Sequence, residues 1–263
     1  LIPAYAAALS RRRLSPNTVK LRTFYITKVQ DLYGDLTRVT FDQLEAYVFA
    51  NKAWSENTQQ SAVASIRSFY QWAYVNGLIE KNPADDLSRI RVHRRPSRIA
   101  TDAAIRAGLE VATVEEQAMI LLGAECGLRV SEIAGLHRDN RDGEWITVIG
   151  KGNKQRSVFC SPELGALLDT IERTSIRWGY YFPGRSGGHA HPSMVWRHIT
   201  NLIHTNPHAL RHRAGTTVWR ETGHDLRTTQ EFLGHSRPET TAIYVHVERE
   251  DLRKAGAAAR MAA

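Results

Sequence analysis

Apolar and polar positions follow a helical period through roughly the first ninety residues. Leu21, Tyr25, Val29 and Leu32 recur three or four apart, which predicts a helix burying that row. Ser15-Pro16-Asn17 opens it, with serine as the cap and proline in the first turn, and Gly34 closes it. Thr40 and Gln43 form a capping box ahead of Leu44, Tyr47 and Val48. Another helix is expected from about Glu56 to Asn76, burying Val63, Ile66, Phe69 or Tyr70, and Ala73 before Gly77 stops it. A short N-terminal helix completes a four-helix unit over residues 1–88.

Asn82-Pro83 ends the helical pattern, and residues 89–98 hold five arginines and a proline, a composition that suits an extended linker. Thr101-Asp102 then caps the first helix of a second domain, residues 99–263. A more apolar helix is expected from about Val114 to Glu125, broken at Gly127, and a shorter one from Ser131. Between residues 144 and 159 the period changes to two. Trp145, Thr147 and Ile149 alternate with Ile146 and Val148, and Ser157-Val158-Phe159 follow a turn rich in Gly and Lys, which predicts a β-hairpin. Ser161-Pro162-Glu163 opens a further helix, residues 183–192 read as a loop, and helices resume from Ser193. The expected fold class is mainly α, in two domains, the second carrying a small β-hairpin or sheet.

Composition narrows the class. The 263 residues are 42% hydrophobic and 24% charged, as in soluble globular proteins. No run of about eighteen apolar residues is present, so no membrane partner is expected. The N-terminal charges follow the apolar stretch, the reverse of a signal peptide, and the expected location is cytoplasmic, in a bacterial host cell and nucleoid-associated. The chain starts without a methionine, which fits either removal of preceding residues or their lying outside this sequence. Cys126 and Cys160 suit a reduced compartment; a disulfide between them is possible but not required, and neither has zinc-site spacing. A formal charge of +8 favours a polyanionic partner. Its distribution points to DNA: Arg89, Arg91, Arg94, Arg95 and Arg98 lie within ten residues and can follow a phosphate backbone.

The candidate chemistry concentrates late in the chain. His208 and Arg211 stand on one helical face, His235 follows a Leu-Gly pair, and Tyr244 comes nine residues later. Attack of a tyrosine on a phosphodiester needs a nucleophile, cations on the non-bridging oxygens, an acid for the leaving 5′ oxygen and a base for the phenol. The phenol's ordinary pKa is about 10, so it needs nearby positive charge or a base. Arg129 before a helix start supplies a second guanidinium, and Glu132 is placed to fix it. Lys151 in the hairpin turn is placed to deliver a proton, with Lys154 and Arg156 as rivals for that role or as phosphate contacts. His208 and His212 are four apart and formally able to share a metal, but Arg211 between them opposes a cation, so no metal is expected and His212 is assigned to orienting or packing beneath the site. His189, His191, His198 and His204 read as loop or surface residues.

The ordered strings GLRVSE, GKGNK, HALRH, LGH and the final tyrosine resemble the tyrosine recombinase (phage integrase/Xer) family across residues 99–254. The N-terminal helices resemble that family's SAM-like core-binding domain. The resemblance implies that Arg129 and Arg211 clamp the scissile phosphate, Lys151 protonates the 5′ oxygen, His208 serves the phenol, His235 is a further phosphate donor and Tyr244 forms a 3′-phosphotyrosyl bond. It favours Lys151 over its rivals as the acid. No position of the catalytic set departs from the family pattern, and no cofactor is implied. Two duplexes need four cuts and each chain has one nucleophile, so the expected active form is a homotetramer on two double-stranded core sites, through a Holliday junction, and monomeric or weakly associated without DNA. The tail after Tyr244 resembles a segment that docks on a neighbouring subunit. A directionality factor or DNA-bending protein is a possible partner. The implied role is phage or mobile-element integration and excision. The alternatives are Xer-type dimer resolution, topoisomerase IB-like relaxation, and DNA binding without catalysis.

Overall fold

The computed structural model describes residues 1–93, 99–150 and 154–234. The chain divides into two compact units, residues 1–95 and 96–263.

The first unit contains helices α1 (Ile2–Arg11), α2 (Pro16–Tyr33), α3 (Phe41–Phe49) and α4 (Glu56–Val75). Ser15 accepts from the Thr18 N–H at the start of α2, and the Thr40–Gln43 capping box opens α3. Helix α4 forms the centre of the core, burying Val63, Ile66, Phe69, Tyr70 and Ala73. Phe69 and Tyr70 are both buried: Phe69 packs edge-on to Tyr5, and the Tyr70 hydroxyl donates to the Leu36 carbonyl at 3.1 Å. On α2 the buried row is Tyr25, Ile26 and Val29, whereas Leu21 and Leu32 are 45% and 63% exposed. At about 100° per residue those two leucines lie roughly 70–90° around the helix from the centre of the buried row. The segment after α4 stays with this unit. Ala84 and Leu87 are buried, Arg67 donates to the carbonyls of Ala84, Asp85 and Leu87, and the His93 N–H donates to Glu56 at 2.7 Å.

The second unit contains α5 (Asp102–Val111), α6 (Val114–Ala124), α7 (Val130–Ala134), β1 (Arg141–Asp142), β2 (Trp145–Ile149), β3 (Gln155–Phe159), α8 (Pro162–Thr174), α9 (Pro192–Ile203), α10 (His208–Glu221) and α11 (Leu226–Leu233). Helix α6 is apolar almost all round, and residues 118–124 are all buried, as expected of a central helix. Gly123 lets α10 approach closely, because a Cβ there would lie 3.0 Å from Leu210 Cδ1. The three strands form one antiparallel sheet in the order β1-β2-β3, with Trp145 opposite Phe159 and Val148 opposite Arg156. Strand β1 adds a short edge to the hairpin expected from the sequence. The fold is mainly α with this small sheet, as the hydrophobic pattern predicts. Cys126 and Cys160 are both free and buried. Among the described residues no helix is long and apolar enough to cross a membrane.

Candidate active site

Four segments of the second unit meet at its polar centre: the loop from Cys126 to Arg129, strand β3, the start of α10 and the end of α11. The loop turns at Gly127, whose φ is +62°, and a Cβ there would press on Phe232 and Leu233 of α11 at 3.0 and 3.1 Å. Arg211 of α10 closes the junction. Its side chain is 1% exposed, one guanidinium nitrogen donates to the Gly127 carbonyl, and the other donates to the Leu233 carbonyl at 2.5 Å.

Arg129 is itself the N-cap of the five-residue α7, which starts at Val130, one residue earlier than the Ser131 start expected from the sequence. It has no short polar side chain to cap with, so Glu132 closes the turn from the other side: Oε2 accepts the Arg129 backbone N–H at 2.9 Å and Oε1 accepts Nη1 at 2.7 Å. Arg156 completes the carboxylate's coordination, with Nη1 to Oε1 at 3.1 Å and Nη2 to Oε2 at 2.8 Å. Burial pushes the Glu132 carboxyl pKa up, but hydrogen bonds from Arg156 and from the Arg129 N–H, with both positive charges, more than reverse this and keep it ionised.

Arg156 thus does not occupy the DNA-facing position assigned to it from the sequence. Its side chain is 8% exposed, and Nε also donates to the Phe232 carbonyl at 3.0 Å. The alternation of β3 carries the signal for this. Arg156 and Val158 share a face, pairing with the buried Val148 and Ile146, while Ser157 points outward. Lys154, by contrast, is exposed at the hairpin, and its carbonyl accepts from the Gly150 N–H at 2.8 Å.

His208 is the first residue of α10, held there by a 2.7 Å bond from its backbone N–H to Asn206 Oδ1. The His208 and His212 rings meet edge to face, 4.8 Å apart. Although His208 retains exposed surface, loss of water on the protein side and the charges of Arg211 and Arg129 lower its pKa. His212, buried beneath it, is lowered to about 4, first by burial and then by His208 and Arg211. At neutral pH the site therefore offers two arginines around neutral imidazoles, an arrangement suited to an anion and to a group able to accept a proton.

Of the remaining sequence-predicted residues, Arg89 and Arg91 are exposed on the first unit. Lys151, His235, Tyr244, Arg94, Arg95 and Arg98 lie outside the described residues. His198 is more than a surface residue, since its Nδ1 lies 2.6 Å from Glu116 in the capping box of α6. Among the described residues no cluster of three or more His, Cys, Asp or Glu is placed to hold a metal.

Residues 100–251, more than half of the chain, match the phage integrase family. The chain belongs to the phage integrase family. Its sequence is 34% identical to a tyrosine recombinase XerC of Xanthomonas campestris over 239 residues, 84% of this chain and 74% of that protein. In fold it is similar to a lambda integrase dimer bound to a COC′ core site, with a TM-score of 0.75 at 14% identity over 93% of this chain and 76% of that one. It is also similar to a lambda integrase tetramer bound to a Holliday junction, with a TM-score of 0.73 at 14% identity, covering 90% and 76% of the two chains. As a tyrosine recombinase the protein is an enzyme, and the matched region contains every element of the polar centre described above.

Proposed function

We propose that the chain exchanges strands between two double-stranded DNA core sites through a covalent bond to Tyr244. The observation that carries this reading is that Arg129 and Arg211 meet at the end of α11, with Arg211 fixed by the carbonyls of Gly127 and Leu233 and Arg129 by Glu132 and the Gly234 carbonyl. Arg129, which keeps exposed surface, is held before the substrate arrives and can stabilise charge on a phosphate without reorganising, while buried Arg211 adds fixed positive charge behind it.

In the proposed step the Tyr244 oxygen attacks phosphorus while the phenolic proton passes to neutral His208. The bond from phosphorus to the 5′ oxygen breaks, and Lys151 protonates that oxygen, with Lys154 as its exposed rival on the same turn. The product is a 3′-phosphotyrosyl bond and a free 5′-hydroxyl. The reverse attack by a 5′-hydroxyl of the other duplex rejoins the strand, and His235 supplies a further donor to the phosphate. Because bond energy is conserved in the ester, the chemistry needs no nucleotide cofactor. Four strand cuts require four copies of Tyr244. A homotetramer passing through a Holliday junction meets that requirement, and the Holliday-junction tetramer of lambda integrase supports the reading. Residues 89–98 are proposed as the basic connection that follows DNA, and residues 1–88 as the core-binding domain.

The XerC likeness favours Xer-type resolution of joined sites over phage or mobile-element integration. The test is a plasmid library carrying two copies of randomised core sites, incubated with the full chain and sequenced across the junctions. Reciprocal joints at matched sites are expected, and a preference for sites on one molecule supports resolution. Relaxed plasmid with no recombinant joint at any site would contradict strand exchange.

A further inference from the structure

The Glu132 carboxylate has four hydrogen bonds, two from Arg129 and two from Arg156, which fill its acceptor positions. Its side chain is 5% exposed, so it cannot exchange one of these partners for bulk water. Arg156 has a second attachment, through Nε to the Phe232 carbonyl. Gly234, two residues further on and directly before His235 in sequence, lies against the Arg156 side chain, and its carbonyl stands 3.5 Å from Arg129 Nη2. One guanidinium therefore ties the carboxylate that orients Arg129 to the end of α11. It does so from a strand that begins four residues after Lys151 in sequence.

We propose that Arg156 is a positioning residue for strand cleavage: it sets the direction of Arg129 through Glu132 and fixes the end of α11 relative to it. The inference rests on the strand-cleavage reading above. Only arginine fits the position. Three N–H groups in one rigid plane reach two carboxylate oxygens and a carbonyl together, whereas a lysine ammonium cannot span both directions. If Arg156 is lost, Glu132 keeps only Arg129 as a partner and can turn with it, so the phosphate clamp loses its fixed reference while the surface that meets DNA is unchanged.

The experiment is single-turnover cleavage of nicked duplexes carrying the core site recovered with the wild-type chain. The maximal rate and the half-saturating DNA concentration are measured separately for Arg156→Met, Arg156→Lys, Glu132→Gln and the Glu132→Gln/Arg156→Met double variant. For Arg156→Met the maximal rate should fall about 100-fold, the scale of a misplacement near 1 Å, with half-saturation within about threefold of wild type. Arg156→Lys keeps the charge and guards against a variant that fails to fold; it should recover less than about a tenth of the lost rate. The double variant should be no slower than Arg156→Met by more than about threefold, because both residues act in one linkage. A maximal rate within about threefold of wild type for Arg156→Met would overturn the proposal. So would a loss confined to half-saturation, which would mark Arg156 as a DNA contact. If the wild-type chain forms no covalent product on any duplex, the cleavage reading fails and this proposal falls with it, an outcome visible without any variant.

Discussion

Gly234→Ala tests the linkage between α11 and Arg156 at a single atom. Gly234 ends α11 with φ +62°, and an added Cβ would lie 2.9 Å from Arg156 Cδ and 3.1 Å from its Nη1. The left-handed backbone alone costs a non-glycine residue about 1–2 kcal/mol. Moving Arg156 outward weakens a charge-assisted hydrogen bond worth about 1.5–3 kcal/mol, so the combined loss is about 2–4 kcal/mol. For a unit of this size that corresponds to a midpoint shift of roughly 5–15 °C. Gly143→Ala is the control, because its φ is +57° but nothing lies within 4 Å of the added Cβ, leaving the backbone term alone. Differential scanning calorimetry of the full chain should show the larger shift for Gly234→Ala in the transition of the second unit, with slowed single-turnover cleavage. Equal shifts for the two variants, with cleavage at the wild-type rate, would refute the linkage.

Other consequences can be checked separately. His212 has a folded pKa of about 4 against an ordinary 6.5, so the unfolded chain takes up the proton first. Its contribution to stability is present above pH 6.5 and is lost as pH falls toward 4, by on the order of 3 kcal/mol over that window. His212→Gln should flatten the dependence of unfolding free energy on pH across it, and an unchanged slope would count against the assignment. Cys126 and Cys160 are buried, and burial raises both thiol pKa values, so alkylation of the folded chain at pH 8 should be slower than in urea by roughly 100-fold or more. Rapid labelling of either thiol in the folded chain would show that the core around the Cys126–Arg129 loop opens readily.

Much of the architecture was legible from local rules. Caps at Ser15, Thr40, Thr101 and Ser161 and the period change near residue 144 place the helices and the hairpin, because each signal is confined to a few neighbouring residues. The α2 row was misread at its ends because spacing alone does not locate the centre of a buried stripe; Ile26 had to be included to see it. The candidate site was legible as a set of residue types. The means by which it is held together was not, since Arg211 is fixed by the carbonyls of Gly127 and Leu233, and backbone acceptors leave no mark on side-chain patterning. Arg156 is the instructive residue. Its positive charge suggested DNA, while its place in the β3 alternation already turned it inward.

The central claim, that Tyr244 carries a DNA strand as a phosphotyrosyl ester, is tested most directly by mass spectrometry of the adduct trapped on a nicked core-site duplex. The wild-type chain should yield a peptide containing Tyr244 with the 3′ phosphate attached, and Tyr244→Phe should yield none. An adduct on another residue, or one that persists in the Phe variant, would contradict the claim.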